Sequence, residues 1–188
     1  MADTCPKDTP WGRADFMQED APGIWFVSTP SHGGFWLSTE RRAQMPAYMR
    51  KTWYEEDCEW SMVAAVFGDE LRACSKFNPS EESVRDNFRG WHPDEYERFY
   101  GVTLADGESY IKDERIFREK HKQDWVVISA SQNPDKTITV FAAKGGRNSQ
   151  GNWDKATEKQ FLVPAEEYRA RSPHGFVIDP ARHSEVSK

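Results

Sequence analysis

Hydrophobic and polar positions along this chain fall into three stretches, strand-like at the beginning, helical in the middle and strand-like again at the end. Ile24-Trp25-Phe26-Val27 is β-branched and aromatic, as a buried strand requires. With Arg13–Glu19 and Gly34–Ser38 it predicts three short strands, the first two joined by a turn at Pro22-Gly23. Thr9-Pro10-Trp11-Gly12 reads as a turn that pins the tail before it. In the middle, Thr52-Trp53-Tyr54-Glu55 matches a capping box, with Thr52 as N-cap and Glu55 at N3. That predicts a helix to Phe67, where Gly68 can end it. Asn78-Pro79-Ser80-Glu81 opens a second helix, with Pro at its first position. His92-Pro93-Asp94-Glu95 opens a short third, and a charged fourth runs from Ser109 to Lys122. At the end, Trp125–Ala130 and Thr137–Ala143 form a hairpin around Asn133-Pro134-Asp135. Gly145 to Asn152 is a polar loop, Gln160–Val163 a strand, Pro164–Tyr168 the start of a short helix and Phe176–Ile178 a last strand.

Strands at both ends with helices between them predict an α+β fold. The expected architecture is a single domain, residues 9–183. Its mainly antiparallel sheet is built from the N- and C-terminal strands, with about four helices packed on one face. Residues 1–8 are expected to be a flexible tail, and 184–188 a C-terminal tail.

Composition narrows the class. Hydrophobic residues make up only 37% of the 188, but eight Trp and eleven Phe offset this, because an aromatic side chain buries roughly 150–250 Å². No run approaches the ~20 apolar residues of a membrane span. The N-terminus has no apolar stretch, so no signal peptide is expected and the location is expected to be cytoplasmic. Cys5, Cys58 and Cys74 are an odd number with no CxxC pair, which speaks for free thiols and against a zinc ribbon. Cys58 and Cys74 lie in apolar-patterned stretches and are expected to be buried. Charge is uneven: residues 1–100 carry 18 acids against 11 bases, and residues 101–188 carry 13 against 14. An acidic first half repels a phosphate backbone, so nucleic acid is an unlikely partner, whereas a basic protein would suit it.

Two segments could carry chemistry. In Ser31-His32-Gly33-Gly34 the glycines allow positive φ or close approach to a ligand, and His32 sits on a strand-to-strand turn. In Tyr54-Glu55-Glu56-Asp57-Cys58-Glu59-Trp60, helical phase would put Glu55 and Glu59 on one face with Met62 and Val66. His32, Glu55 and Glu59 are therefore the candidate catalytic residues and the candidate ligands of a divalent metal. Ser31, Gly33, Gly34, Glu56 and Asp57 are candidate binding residues. Plain structural readings compete: a turn that needs glycine, and acids that favour a helix N-terminus. Lys144-Gly145-Gly146-Arg147 could bind an anion but lacks the spacing of a phosphate loop. No HExxH, GxSxG, GxGxxG or Walker pattern is present.

Five stretches carry a family resemblance: Thr9–Gly12, Ser28–Gly34, Tyr54–Trp60, Phe161–Tyr168 and Gly175–Pro180. By these the chain resembles an uncharacterised domain family that recurs on plasmids, phages and integrated elements of proteobacteria. The resemblance implies a bacterial cytoplasm and an accessory gene of a mobile element, a class that often encodes small acidic proteins blocking host defences. The leading expectation is thus a protein that binds a host protein or complex, as an inhibitor of a defence system. The alternative is a metal-dependent hydrolase with its site at His32, Glu55 and Glu59.

Overall fold

Alternation along three strands decides how the first part of the chain folds. In a computed structural model, which describes residues 3–135 and 137–186, the chain divides into two compact units, Met1–Ile111 and Lys112–Lys188. In the first, β1 (Asp8–Thr9) and β2 (Gly12–Arg13) pair as a small hairpin. β3 (Phe16–Ala21), β4 (Ile24–Ser28), β5 (Gly33–Leu37) and β6 (Trp53–Glu55) form an antiparallel meander in that spatial order. Period-2 alternation gives the sheet two apolar faces. Ile24, Phe35, Leu37 and Tyr54 enter the main core, whereas Val27 and Trp36 join Cys5 in a smaller cluster flanked by Trp11, Trp25 and Trp53. Glu55, two residues after Trp53, shares the tryptophan face and lies opposite Gly34.

The helices cover the other face. After α1 (Thr39–Gln44) and a 3-10 turn at Ala47–Met49, α2 (Trp60–Cys74) packs on the sheet. Val63, Phe67 and Leu71 recur every four residues, so all three point into the core. α3 (Glu81–Trp91) is capped by Ser80, whose Oγ accepts from Ser83 N at 3.1 Å, so Pro79 stands before the cap and not at the first helical position as expected; the helix buries Val84 and Phe88. Pro93 occupies the first turn of α4 (Pro93–Tyr100), which Gly101 ends at φ +66°.

α5 (Tyr110–Lys120) carries the boundary between the units. The second unit is built on β7 (Trp125–Gln132), β8 (Thr137–Lys144), β9 (Lys159–Pro164) and β10 (Ser184–Glu185), with α6 (Ala165–Arg169) after β9. The antiparallel order is β10-β9-β8-β7. Val140, Phe161, Val163 and Ile178 are its main buried residues.

The α+β class agrees with the sequence reading, with several corrections of detail. The N- and C-terminal strands build separate sheets, because each set closes through short sequential hairpins that leave no need for a distant partner. The capping box at Thr52 does not form. Trp53-Tyr54-Glu55 is a strand paired with β5, and full burial of Tyr54 outweighs the local helix signal. The following helix begins only at Trp60 and continues through Gly68 to Cys74. Phe176–Ile178 contributes a single bridge, Val126↔Val177. The first residues are packed, since Cys5 is 5% exposed and Asp3 accepts from Thr39 N at 2.7 Å. At the other end, Ser184 and Glu185 pair with β9, while residues 1, 2, 187 and 188 of the expected tails lie outside the described residues. All three cysteines are free thiols, but Cys58 is half-buried and Cys74 exposed. No helix among the described residues is long and apolar enough to cross a membrane.

Candidate functional site

The sheet's tryptophan face ends in a small polar cluster made by the β4–β5 turn and the end of β6. In the turn, Thr29 N and Oγ1 both donate to His32 O (2.7 and 2.9 Å), and Oγ1 accepts from His32 N at 3.2 Å. This fixes the backbone that carries the imidazole. Across the sheet, Glu56 N donates to Gly33 O at 3.1 Å, tying the next strand's exit to the same turn.

His32 lies between two carboxylates. Its Nε2 is 2.7 Å from Glu55 Oε1 and its Nδ1 is 3.6 Å from Glu56 Oε1. Trp11 meets the ring edge-on, with centroids 5.7 Å apart. The side chains are graded in exposure: 19% for Glu55, 33% for His32 and 36% for Glu56. One side of the cluster is thus walled and the other faces solvent.

The two oxygens of Glu55 have different roles. Oε2 accepts from Asp57 N (2.8 Å), Cys58 N (3.0 Å) and Cys58 Sγ (3.2 Å), so the side chain closes its own turn. Oε1 is shielded from solvent. It makes no hydrogen bond among the described residues, and His32 Nε2 is its ion-pair neighbour at 2.7 Å. Burial works against ionisation of Glu55, but the Asp57 and Cys58 donors, together with His32, outweigh it and hold the carboxyl below its ordinary value. Burial and then Glu55 push the Cys58 thiol up to about 12, so it remains a protonated donor at neutral pH.

The glycines serve by what they lack. Neither Gly33 nor Gly34 has positive φ, contrary to one expectation for this turn. A Cβ on Gly33 would lie 2.6 Å from Glu56 Oε2 and 2.8 Å from Val27 O. One on Gly34 would lie 2.1 Å from Tyr54 O and 2.5 Å from Trp11 Cη2. The pair lets β6, Trp11 and the Glu56 carboxylate close on the turn.

Of the sequence candidates, the fold brings together His32, Glu55, Glu56, Gly33 and Gly34. Glu59 is engaged elsewhere, because its Oε1 pairs with Lys51 Nζ and its Oε2 accepts from Glu55 N at 3.2 Å. The physical reason is the strand at 53–55: the expected i, i+4 helical pairing of Glu55 with Glu59 does not exist. Ser31 is exposed, with its N–H on Thr29 Oγ1 at 3.4 Å. Asp57 is exposed, and its carbonyl accepts from Asn87 Nδ2 at 2.9 Å. Trp11 and Asn87 were not among the candidates. Trp11 stood in a recognised turn, but no local pattern points Asn87 at a segment thirty residues earlier.

Ligand atoms of His32, Glu55 and Glu56 all lie within 4.8 Å of one another, the only such grouping of three metal-binding side chains among the described residues. A family model described as Domain of unknown function (DUF7007) matches residues 4–122. The chain belongs to this family. The DUF7007 match takes in the whole cluster, from Trp11 to Asn87, and stops before β7. No curated protein and no solved structure matches the chain.

Proposed function

We propose that this protein is a divalent-metal-dependent hydrolase whose metal is held by His32, Glu55 and Glu56. The observation that carries the reading is the approach of three ligand atoms to within 4.8 Å, one of them the solvent-shielded Glu55 Oε1, 2.7 Å from His32 Nε2. A cation bound by both atoms would satisfy this shielded oxygen and the imidazole nitrogen together. One imidazole and two carboxylates suit a first-row divalent ion. Three protein ligands leave coordination positions for water, and zinc at such a site would lower the pKa of that water to about 7. The exposed side of the cluster, at His32 and Glu56, gives a substrate access to that water.

Titration with Mn²⁺, followed by calorimetry and electron paramagnetic resonance, tests the reading. One ion per chain is expected, with at least tenfold weaker binding in Glu55→Gln and His32→Ala and little change in Glu59→Gln, which lies outside the ligand set. Hydrolysis of a generic aryl ester or phosphodiester should follow metal occupancy. Absence of binding at millimolar Mn²⁺ or Zn²⁺ would sink it.

A second reading, binding of a host protein by a mobile-element accessory factor, is favoured by one observation. Trp91 and Tyr110 are about half exposed and lie side by side on the same unit, their rings tilted at 47° with centroids 6.2 Å apart. Exposed aromatic pairs of this kind are enriched at interfaces. Co-purification of a partner from bacterial lysate, lost in Trp91→Ala, is the expected result, and the absence of any stable partner would count against it.

A further inference from the structure

Among the described residues, two cations of the second unit, Arg147 and Lys144, form no ion pair, although the Asp154 carboxylate lines the same cleft. Arg147 donates Nε and Nη2 to Ile128 O (3.2 and 3.1 Å) and Nη1 to Gly151 O (2.8 Å), with its guanidinium 4.4 Å from the Trp153 ring centroid. Lys144 Nζ donates to Gln123 O at 2.7 Å and sits 3.5 Å from the Trp125 centroid. Carbonyls and ring faces occupy donors without cancelling charge. A guanidinium has five N–H donors, so Arg147 keeps two for a ligand.

Arg147 lines two neighbouring clefts of about 370 and 340 Å³ that share Arg118, Gly145, Arg147 and Asn148, and Lys144 lines the smaller one. Arg118 pairs with Glu114 at 2.8 Å through one nitrogen and adds further N–H groups to the same wall. The larger cleft is also lined by the Phe117 ring and by Ser149. The Lys144–Arg147 turn is fixed before any ligand arrives. Gly145 and Gly146 have φ of +70° and +67°, and a Cβ on Gly146 would meet Val126 Cβ at 2.9 Å. An Arg fork held in place by its own loop, with Lys144 and Arg118 against the single carboxylate of Asp154 in the smaller cleft, matches an oxyanion. An adjoining aromatic wall matches an organic group attached to it.

We infer that this joined cleft binds a small phosphate monoester, with its phosphate at Arg147 and Arg118 and its organic part against Phe117. The site lies beyond the segment matched by the family model and is independent of the proposed metal. Calorimetry on the full chain tests it, with EDTA present so that a metal at His32 contributes nothing. The probes are phenyl phosphate, inorganic phosphate and phenol. Phenyl phosphate is expected to bind one to one, at least tenfold tighter than either of the others. Arg147→Lys and, separately, Arg118→Gln should each weaken it at least tenfold in protein whose melting is cooperative. Arg118→Gln leaves the loop clamp intact, so it decides the matter if Arg147→Lys disturbs the fold. Equal binding of inorganic phosphate would overturn the ester assignment in favour of free phosphate. No binding of either anion, or binding that both variants retain, would overturn the site itself.

Discussion

Gly34 has less room for a side chain than any other glycine of the chain, and the site depends on that. Its missing Cβ would stand 2.1 Å from a backbone carbonyl, which cannot rotate away as a side chain would. Gly34→Ala should therefore lose about 3 kcal/mol of stability or more by urea denaturation. Gly90, inside α3, has nothing within 4 Å of its Cβ position and no positive φ. Gly90→Ala should instead gain about 0.5–1 kcal/mol, because alanine is the better helix former and restricts the unfolded chain. Equal effects at the two positions would contradict this account of the turn. Glu55 offers a second test. Its folded pKa lies below the ordinary value of 4.5, so its ionised form adds stability that is fully present above that pH. That contribution disappears as pH falls through the lowered folded value. Wild type should exceed Glu55→Gln in urea midpoint at pH 6, and the gap should close below the ordinary glutamate value as pH falls. A gap that stays constant down to pH 3 would mean that the Asp57 and Cys58 hydrogen bonds do not depend on the charge.

Helix starts and strands were legible in the sequence to very different degrees. Ser80 and Pro93 stand at real helix starts, where local chemistry alone specifies the geometry. Ser80→Ala should cost about 1 kcal/mol through loss of the bond to Ser83 N, read as a shift in the denaturation midpoint without change of slope. Thr52-Trp53-Tyr54-Glu55 carries an equally good local signature and misleads. The same letters are β-prone aromatics, and pairing with Phe35 and Trp36 buries Tyr54 completely. That one reversal explains why the candidate site was partly legible. The structure brings His32 and Glu55 side by side, because the hairpin turn and the strand project them toward each other. Glu59 was chosen on a helical phase that does not exist, and Glu56 was undervalued for the same reason. In strand geometry Glu55 follows Trp53 onto the tryptophan face, while Glu56 turns back to the Gly33 carbonyl. The α1 segment at Thr39–Gln44 was not anticipated, since six residues with no buried side chain leave little pattern to read.

Two compact units with separate sheets and separate cores give the metal reading a consequence beyond its ligands. A ligand that binds only the folded state stabilises it by mass action, by about 2.7 kcal/mol at a hundredfold excess over Kd. The three proposed ligands all belong to the first unit. They sit on segments the fold already cross-links, through the Thr29–His32 turn, the Gly33–Glu56 bond and the Glu55 cap of Asp57 and Cys58. Saturating Mn²⁺ should accordingly slow amide exchange most at Thr29–Trp36 and Trp53–Trp60, then across the rest of the meander, whose strands open together with these. Exchange in β7, β8 and β9 should be unchanged, because their hydrogen bonds belong to another sheet. Exchange mass spectrometry of the intact chain, with and without metal, separates the outcomes. Protection spread evenly over both units would mean that they unfold as one. Protection confined to the second would move the metal away from His32. The control is Glu55→Gln, in which added Mn²⁺ should leave the first unit's exchange at that variant's own metal-free rate, since its one remaining oxygen can still accept from Asp57 and Cys58 while the charge and the second oxygen that would draw the cation are gone.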